Sequence, residues 1–142
     1  MTNKNIFLGI LAITLIVETS VVDIYAQSST VPVELRGTWV AVEDRNSGSS
    51  FTFTANSVTF RDSMGSFTIT NPKFDAVTHN NLPASTRSMV NGFPSGYEVS
   101  GRVSTSTGYY TDLPNRSFYV FLNPAKNRIA ELKSPAHTYQ KQ

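Results

Sequence analysis

The 142-residue chain contains no cysteine, which excludes disulfides, thiolate metal ligands and lipid attachment at an N-terminal cysteine. Charge is scarce as well: Asp, Glu, Lys and Arg together make up 15% of the residues, and there are only two histidines. A disordered chain would carry more charge and fewer aromatics, and a helical bundle would be richer in Leu, Glu and Lys. The apolar run at the start, Ile6 to Val17, is 12 residues long, short of the ~20 that a membrane-spanning helix needs. No Gly-x-Ser-x-Gly elbow and no Gly-rich phosphate loop occurs. The length leaves room for one folded domain.

Residues 1 to 26 have the pattern of a secretory signal peptide: Lys4, the apolar run, then a polar stretch ending at Ala26. Residues 27 to 33 are expected to be a flexible lead-in, and 34 to 142 the folded domain. Removal of the leader leaves eleven basic against eight acidic residues. Arg36, Arg45, Arg61, Lys73, Arg87, Arg102 and Arg116 are spread almost evenly along the chain, whereas a nucleic-acid binder clusters its cations on one face. The sequence therefore describes an exported protein, periplasmic, cell-surface or secreted, with no nucleic-acid partner and no membrane span in the mature chain.

After the lead-in, short runs rich in Val, Phe, Tyr and Thr alternate with turn residues, the signature of an all-β domain. In SFTFT (50–54), Phe51 and Phe53 share one face and Thr52 and Thr54 the other. Val58 and Phe60, then Phe67 and Ile69, repeat that alternation across the turns at 55–56 and 62–65, giving a meander buried on one side and wet on the other. Residues 71 to 95 are too long for a simple loop: 74–78 is expected to be a strand, and 84–90 a short helix with Asn81 as its cap. Tyr97 to Val103 reads as a strand with a bulge or close approach at Gly101. Residues 104 to 108 read as a turn-rich gap, and 109–113 as a short edge element. SFYVFL (117–122) is apolar on both faces and needs cover on both. Runs at 128–133 and 136–141 complete eight to ten strands. So many strands must close or split into two sheets. A small closed antiparallel up-and-down barrel of about eight strands fits best, with a β-sandwich as rival.

Gly37-x-Trp39 opens the first strand, and this pattern, followed by FTFTANSVTF and the ending YVFLNPAKNRIAEL then TYQKQ, resembles the small bacterial lipocalin-like, calycin-type secreted proteins. The resemblance covers roughly 33 to 142. It implies that Gly37 and Trp39 form the closed base of the barrel, with a cation from the last strands, Arg128 or Lys141, over the indole, and a ligand entering at the other end. There is no cysteine pair, no long helix before the last strand, and Thr111-Asp112 matches part of a second lipocalin motif. The chain is also smaller than a typical lipocalin.

Catalysis needs positioned partners, and the lone residues His79 and His137 suggest none. The carboxylates show no metal-ligand spacing, so no metal and no cofactor is expected and the protein reads as non-enzymatic. The candidate barrel lining is Phe51, Phe53, Phe67, Tyr97, Val99 and Phe118, which either surround a small hydrophobic or amphipathic ligand or simply form the core. Ligand carriage requires a cavity of about 300 Å³ or more, with 71–95 as a partial lid. The alternative is a protein-interaction module, an inhibitor or envelope accessory protein, that contacts its partner through loops in which Tyr109 and Tyr110 are exposed.

Overall fold

In the computed structural model, residues 30–142 are described; the leader predicted over 1–26 lies outside them. Nine strands follow one another: β1 (Gly37–Ala41), β2 (Ser50–Phe53), β3 (Ser57–Asp62), β4 (Gly65–Thr70), β5 (Lys73–Thr78), β6 (Ser95–Gly108), β7 (Asn115–Leu122), β8 (Arg128–Glu131) and β9 (His137–Lys141), with one helix, α1 (Ala84–Met89), between β5 and β6. The sheet order is β4-β3-β2-β1-β9-β8-β7-β6-β5, and β4 also pairs with β6. Eight antiparallel strands thus close into an up-and-down barrel, and β5 is an extra strand alongside. Closure leaves the eight barrel strands without the long free edge of an open sheet. Among the described residues no helix is long and apolar enough to cross a membrane.

The alternation seen in the sequence is the alternation of inside and outside. Trp39, Phe51, Phe53, Val58, Phe60, Phe67, Ile69, Val99, Val120, Leu122, Ile129 and Tyr139 form one buried cluster within the barrel. On the outer face, Thr38, Thr52, Thr59, Thr68 and Thr105 are cross-strand neighbours through five consecutive strands. Thr59 and Thr68 share a hydroxyl hydrogen bond at 2.9 Å, a pairing that suits the wet side of a sheet.

β4 and β5 run along the same edge of β6, β4 pairing its last residues and β5 its first, Ser95 to Ser100. Asn71, with φ of 53°, and Pro72 kink this ribbon between its two halves. The register of β4 against β6 shifts between Thr68 and Ile69. Here Gly101 is closely approached, since a Cβ on it would lie 2.6 Å from Cγ2 of Ile69.

Residues 104–108, read from composition as a gap, are instead part of the 14-residue β6, because β4 offers them a ladder that local sequence cannot reveal. The expected edge element at 109–113 is a 3-10 turn, Tyr109–Asp112. Asn81 does not cap α1: Pro83 occupies the N-cap position and makes no side-chain cap bond. The helix does not close an end of the barrel as a lid. Val90, just after it, packs against Phe121 and Ala130 in a second buried cluster. Because Phe121 alternates with the inward Val120 and Leu122, 71–95 covers the outside of β7 and β8, which gives 117–122 the cover it needs on both faces. Of the lead-in, Val31 is buried in the main cluster, and its amide, like that of Thr30, donates to the carbonyl of Ala55.

Candidate functional site

Trp39 lies fully buried near one end of the barrel, with Nε1 donating to the carbonyl of Leu35 at 2.7 Å. A 3-10 turn, Val33–Leu35, precedes β1 and brings Leu35 into the same cluster. Of the two candidate cations, Lys141 is the one over the indole, its Nζ 5.3 Å from the ring centroid. Gly37 makes room: its φ is +125°, and a Cβ there would lie 3.1 Å from Cε of Lys141. Nearby, Tyr97 donates its hydroxyl to Glu34. The bond holds the Glu34 carboxyl below its ordinary range, and burial, with the bond to Glu34 adding to it, pushes the Tyr97 hydroxyl up to about 12.

The middle of the barrel is filled with rings. Phe51 has its centroid within 6 Å of those of Phe53, Phe60, Phe118 and Tyr139, and Phe74 bridges Phe53 and Tyr97. Such offset and edge contacts are favourable pairings of aromatic quadrupoles. Phe51, Phe53 and Val99 are therefore core residues, and Tyr97 is half-buried against them. Phe67 and Phe118, also in the core, additionally border a cavity.

That cavity, of about 220 Å³, is flanked by Phe60, Phe67, Phe118, Tyr110, Arg116 and Glu131. β7 supplies Arg116 in the same inward register as Phe118 and Val120, and β8 supplies Glu131 two residues after the buried Ile129. The Arg116 guanidinium lies over two rings, 4.7 Å from the centroid of Phe67 and 5.0 Å from that of Tyr110. The two ring centroids are themselves 5.4 Å apart, so both rings lie to one side of the guanidinium. Among the described residues Arg116 makes no ion pair.

Glu131 is 6% exposed. Its Oε1 accepts from the Tyr139 hydroxyl at 3.3 Å and lies 3.7 Å from Nζ of Lys133. No hydrogen bond or ion pair falls on Oε2 among the described residues. Burial raises the Glu131 carboxyl above its ordinary value, against the opposing pulls of Lys133, the Tyr139 hydroxyl and the Arg116 guanidinium. Burial likewise raises the Tyr139 hydroxyl, reinforced by Glu131. Asn46, buried beside β9, donates to the Thr138 carbonyl at 3.2 Å and leaves its Oδ1 unpartnered.

The two tyrosines expected as a loop contact separate. Tyr109 is 66% exposed, whereas Tyr110 is 5% exposed. Tyr110 packs on Phe60 and Phe67 and donates its hydroxyl to Asp62; burial and that bond push its pKa up. A one-residue step along the 3-10 turn sends neighbouring side chains in different directions, which sequence adjacency does not show.

His79 is a structural contact, its Nε2 3.0 Å from the Arg87 carbonyl. His137 is on β9, its pKa lowered by burial and by Lys133. Among the described residues no group of three His, Asp or Glu is placed to hold a metal.

Arg116 and Glu131 did not stand out in the sequence as a site. Period-two alternation carries the signal for both, since each continues an inward apolar series, but a strand must be assumed before the series can be extended to a charged residue. Searches of protein-family models, curated proteins and solved structures gave no match to this chain.

Proposed function

We propose that the protein is an exported, non-enzymatic, lipocalin-like binding barrel that takes a small amphipathic molecule at the Arg116–Glu131 end. The observation that carries this reading is a guanidinium with no ion pair among the described residues and a buried carboxylate beside one cavity flanked by aromatic rings. The Lys141–Trp39 contact supports the lipocalin-like assignment, since it is the contact that the resemblance implied. At about 220 Å³ the space falls short of the ~300 Å³ that ligand carriage in the barrel required, so the ligand proposed here is smaller than that expectation. The packed rings around Phe51 argue against a long apolar ligand through the centre.

Native mass spectrometry of the protein purified from its own host, with extraction of whatever co-purifies, tests this. A small adduct lost on Arg116→Gln is expected. An adduct of fatty-acyl size, or one unaffected by that substitution, would overturn it.

A protein-interaction role remains the second reading, favoured by exposed Tyr109, Met64 and Leu113. Tyr109 and Met64 lie together, since the Tyr109 amide donates to the Met64 carbonyl at 3.0 Å. Large exposed apolar side chains in one patch mark contact sites.

A further inference from the structure

We propose that the ligand class of this cavity is a small zwitterion of amino-acid size, its carboxylate held by Arg116, its ammonium by Oε2 of Glu131, and its apolar body by Phe60, Phe67 and Phe118. This rests on the binding reading above and adds the chemistry of the ligand.

The two charges decide the class together. The Arg116 guanidinium packs against the rings of Phe67 and Tyr110, and its fork of N–H donors matches a carboxylate through two parallel bonds. A ligand bearing only a carboxylate would meet Glu131 in the same small space. A ligand bearing only an ammonium would meet Arg116 and Lys133. A molecule with both charges meets an opposite charge at each wall.

The pairing already inside the protein agrees. Both contacts of Glu131 fall on Oε1, so Oε2 is the atom left for a ligand. Lys133, whose side chain is 47% exposed, reaches Glu131 from the solvent side. The aromatic wall is fixed by its own packing, with Phe60 and Phe67 centroids 5.5 Å apart. The ligand's charges therefore meet groups already in position.

The test is isothermal titration calorimetry, with saturation-transfer NMR for weak binding, on protein purified from the full-length gene. The probes are L-leucine, leucinamide, which keeps only the ammonium, and 4-methylpentanoate, which keeps only the carboxylate. L-leucine is expected to bind at least about tenfold more tightly than either, one charged contact being worth about that factor. In Arg116→Gln the advantage of L-leucine over leucinamide should disappear, and in Glu131→Gln its advantage over 4-methylpentanoate. Thermal melts check that both variants are folded, and Arg116→Lys, which keeps the charge but loses the fork, should retain part of the preference.

Equal binding of all three probes, no binding of any, or a preference unchanged in both variants overturns the zwitterion. The binding reading is judged separately by native mass spectrometry. An Arg116-dependent adduct of other chemistry would leave it standing while the zwitterion falls.

Discussion

The ammonium of Lys141 lies over the indole of Trp39, 5.3 Å from its centroid, and so joins the last strand to the first at one end of the barrel. The two residues are also direct cross-strand partners in the β1–β9 ladder. The contact reinforces the seam at which the chain's two ends meet. Lys141→Met should lower stability by ~0.5–1 kcal/mol, the size of a partly exposed cation–π contact. Trp39→Ala should cost ~3–5 kcal/mol. Thermal and chemical denaturation measure both, and equal losses would contradict the relationship.

Gly37→Ala is expected to destabilise more than its added methyl suggests. The residue holds a φ of +125°, and its Cβ would press on Lys141, so strain and displacement of the cation combine. If Gly37→Ala is neutral in a denaturation experiment, Gly37 is not what admits Lys141.

The adjacent tyrosines should respond differently. Tyr110→Ala removes a ring packed between Phe60, Phe67 and the Arg116 guanidinium and should cost ~3–5 kcal/mol. Tyr109→Ala removes an exposed ring and should stay within ~0.5 kcal/mol. If Tyr109→Ala nonetheless abolishes capture of a protein partner, the interaction reading gains support.

Stability should depend on pH through Glu131 in a direction opposite to that of an ordinary paired carboxylate. Its folded pKa is raised above the ordinary 4.5 by burial. Between 4.5 and the raised value the folded state binds more protons than the unfolded state, so stability falls as pH rises through this window. Glu34 and Glu43 are lowered, chiefly by their hydrogen bonds from Tyr97 and Thr138, so their contributions are lost only as pH falls below 4.5. Glu131→Gln should remove this falling slope, leaving above 4.5 the rise toward 6.5 that the lowered pKa of His137 produces, and keep the acid limb intact. Urea midpoints across pH 3 to 8, in wild type and variant, measure it; parallel curves above 4.5 would exclude Glu131 as the source.

Phe121→Ala should cost ~3–5 kcal/mol although the residue is outside the barrel, because it is buried against Val90. Hydrogen exchange should show the 84–90 segment losing protection before the barrel strands. Simultaneous loss throughout would mean that the outer cluster is not a separate layer.

The sequence by itself determined the all-β class, the meander of β2 to β4 and the two-sided burial of 117–122, and it favoured a closed antiparallel barrel over a β-sandwich. All of these follow from period-two alternation and turn chemistry, which are local. The resemblance carried by Gly37-x-Trp39 implied that Arg128 or Lys141 would cover the indole, without distinguishing them. Tertiary structure decided what depends on pairing between distant segments: the extension of β6 through 104–108 along β4, the placement of 71–95 on the outer wall, and the choice of Lys141. The candidate site was legible only in part for the same reason. Phe67 and Phe118 were found because apolar alternation marks them. Arg116 and Glu131 were not, because a charged residue announces an inward direction only once its strand and neighbours are known.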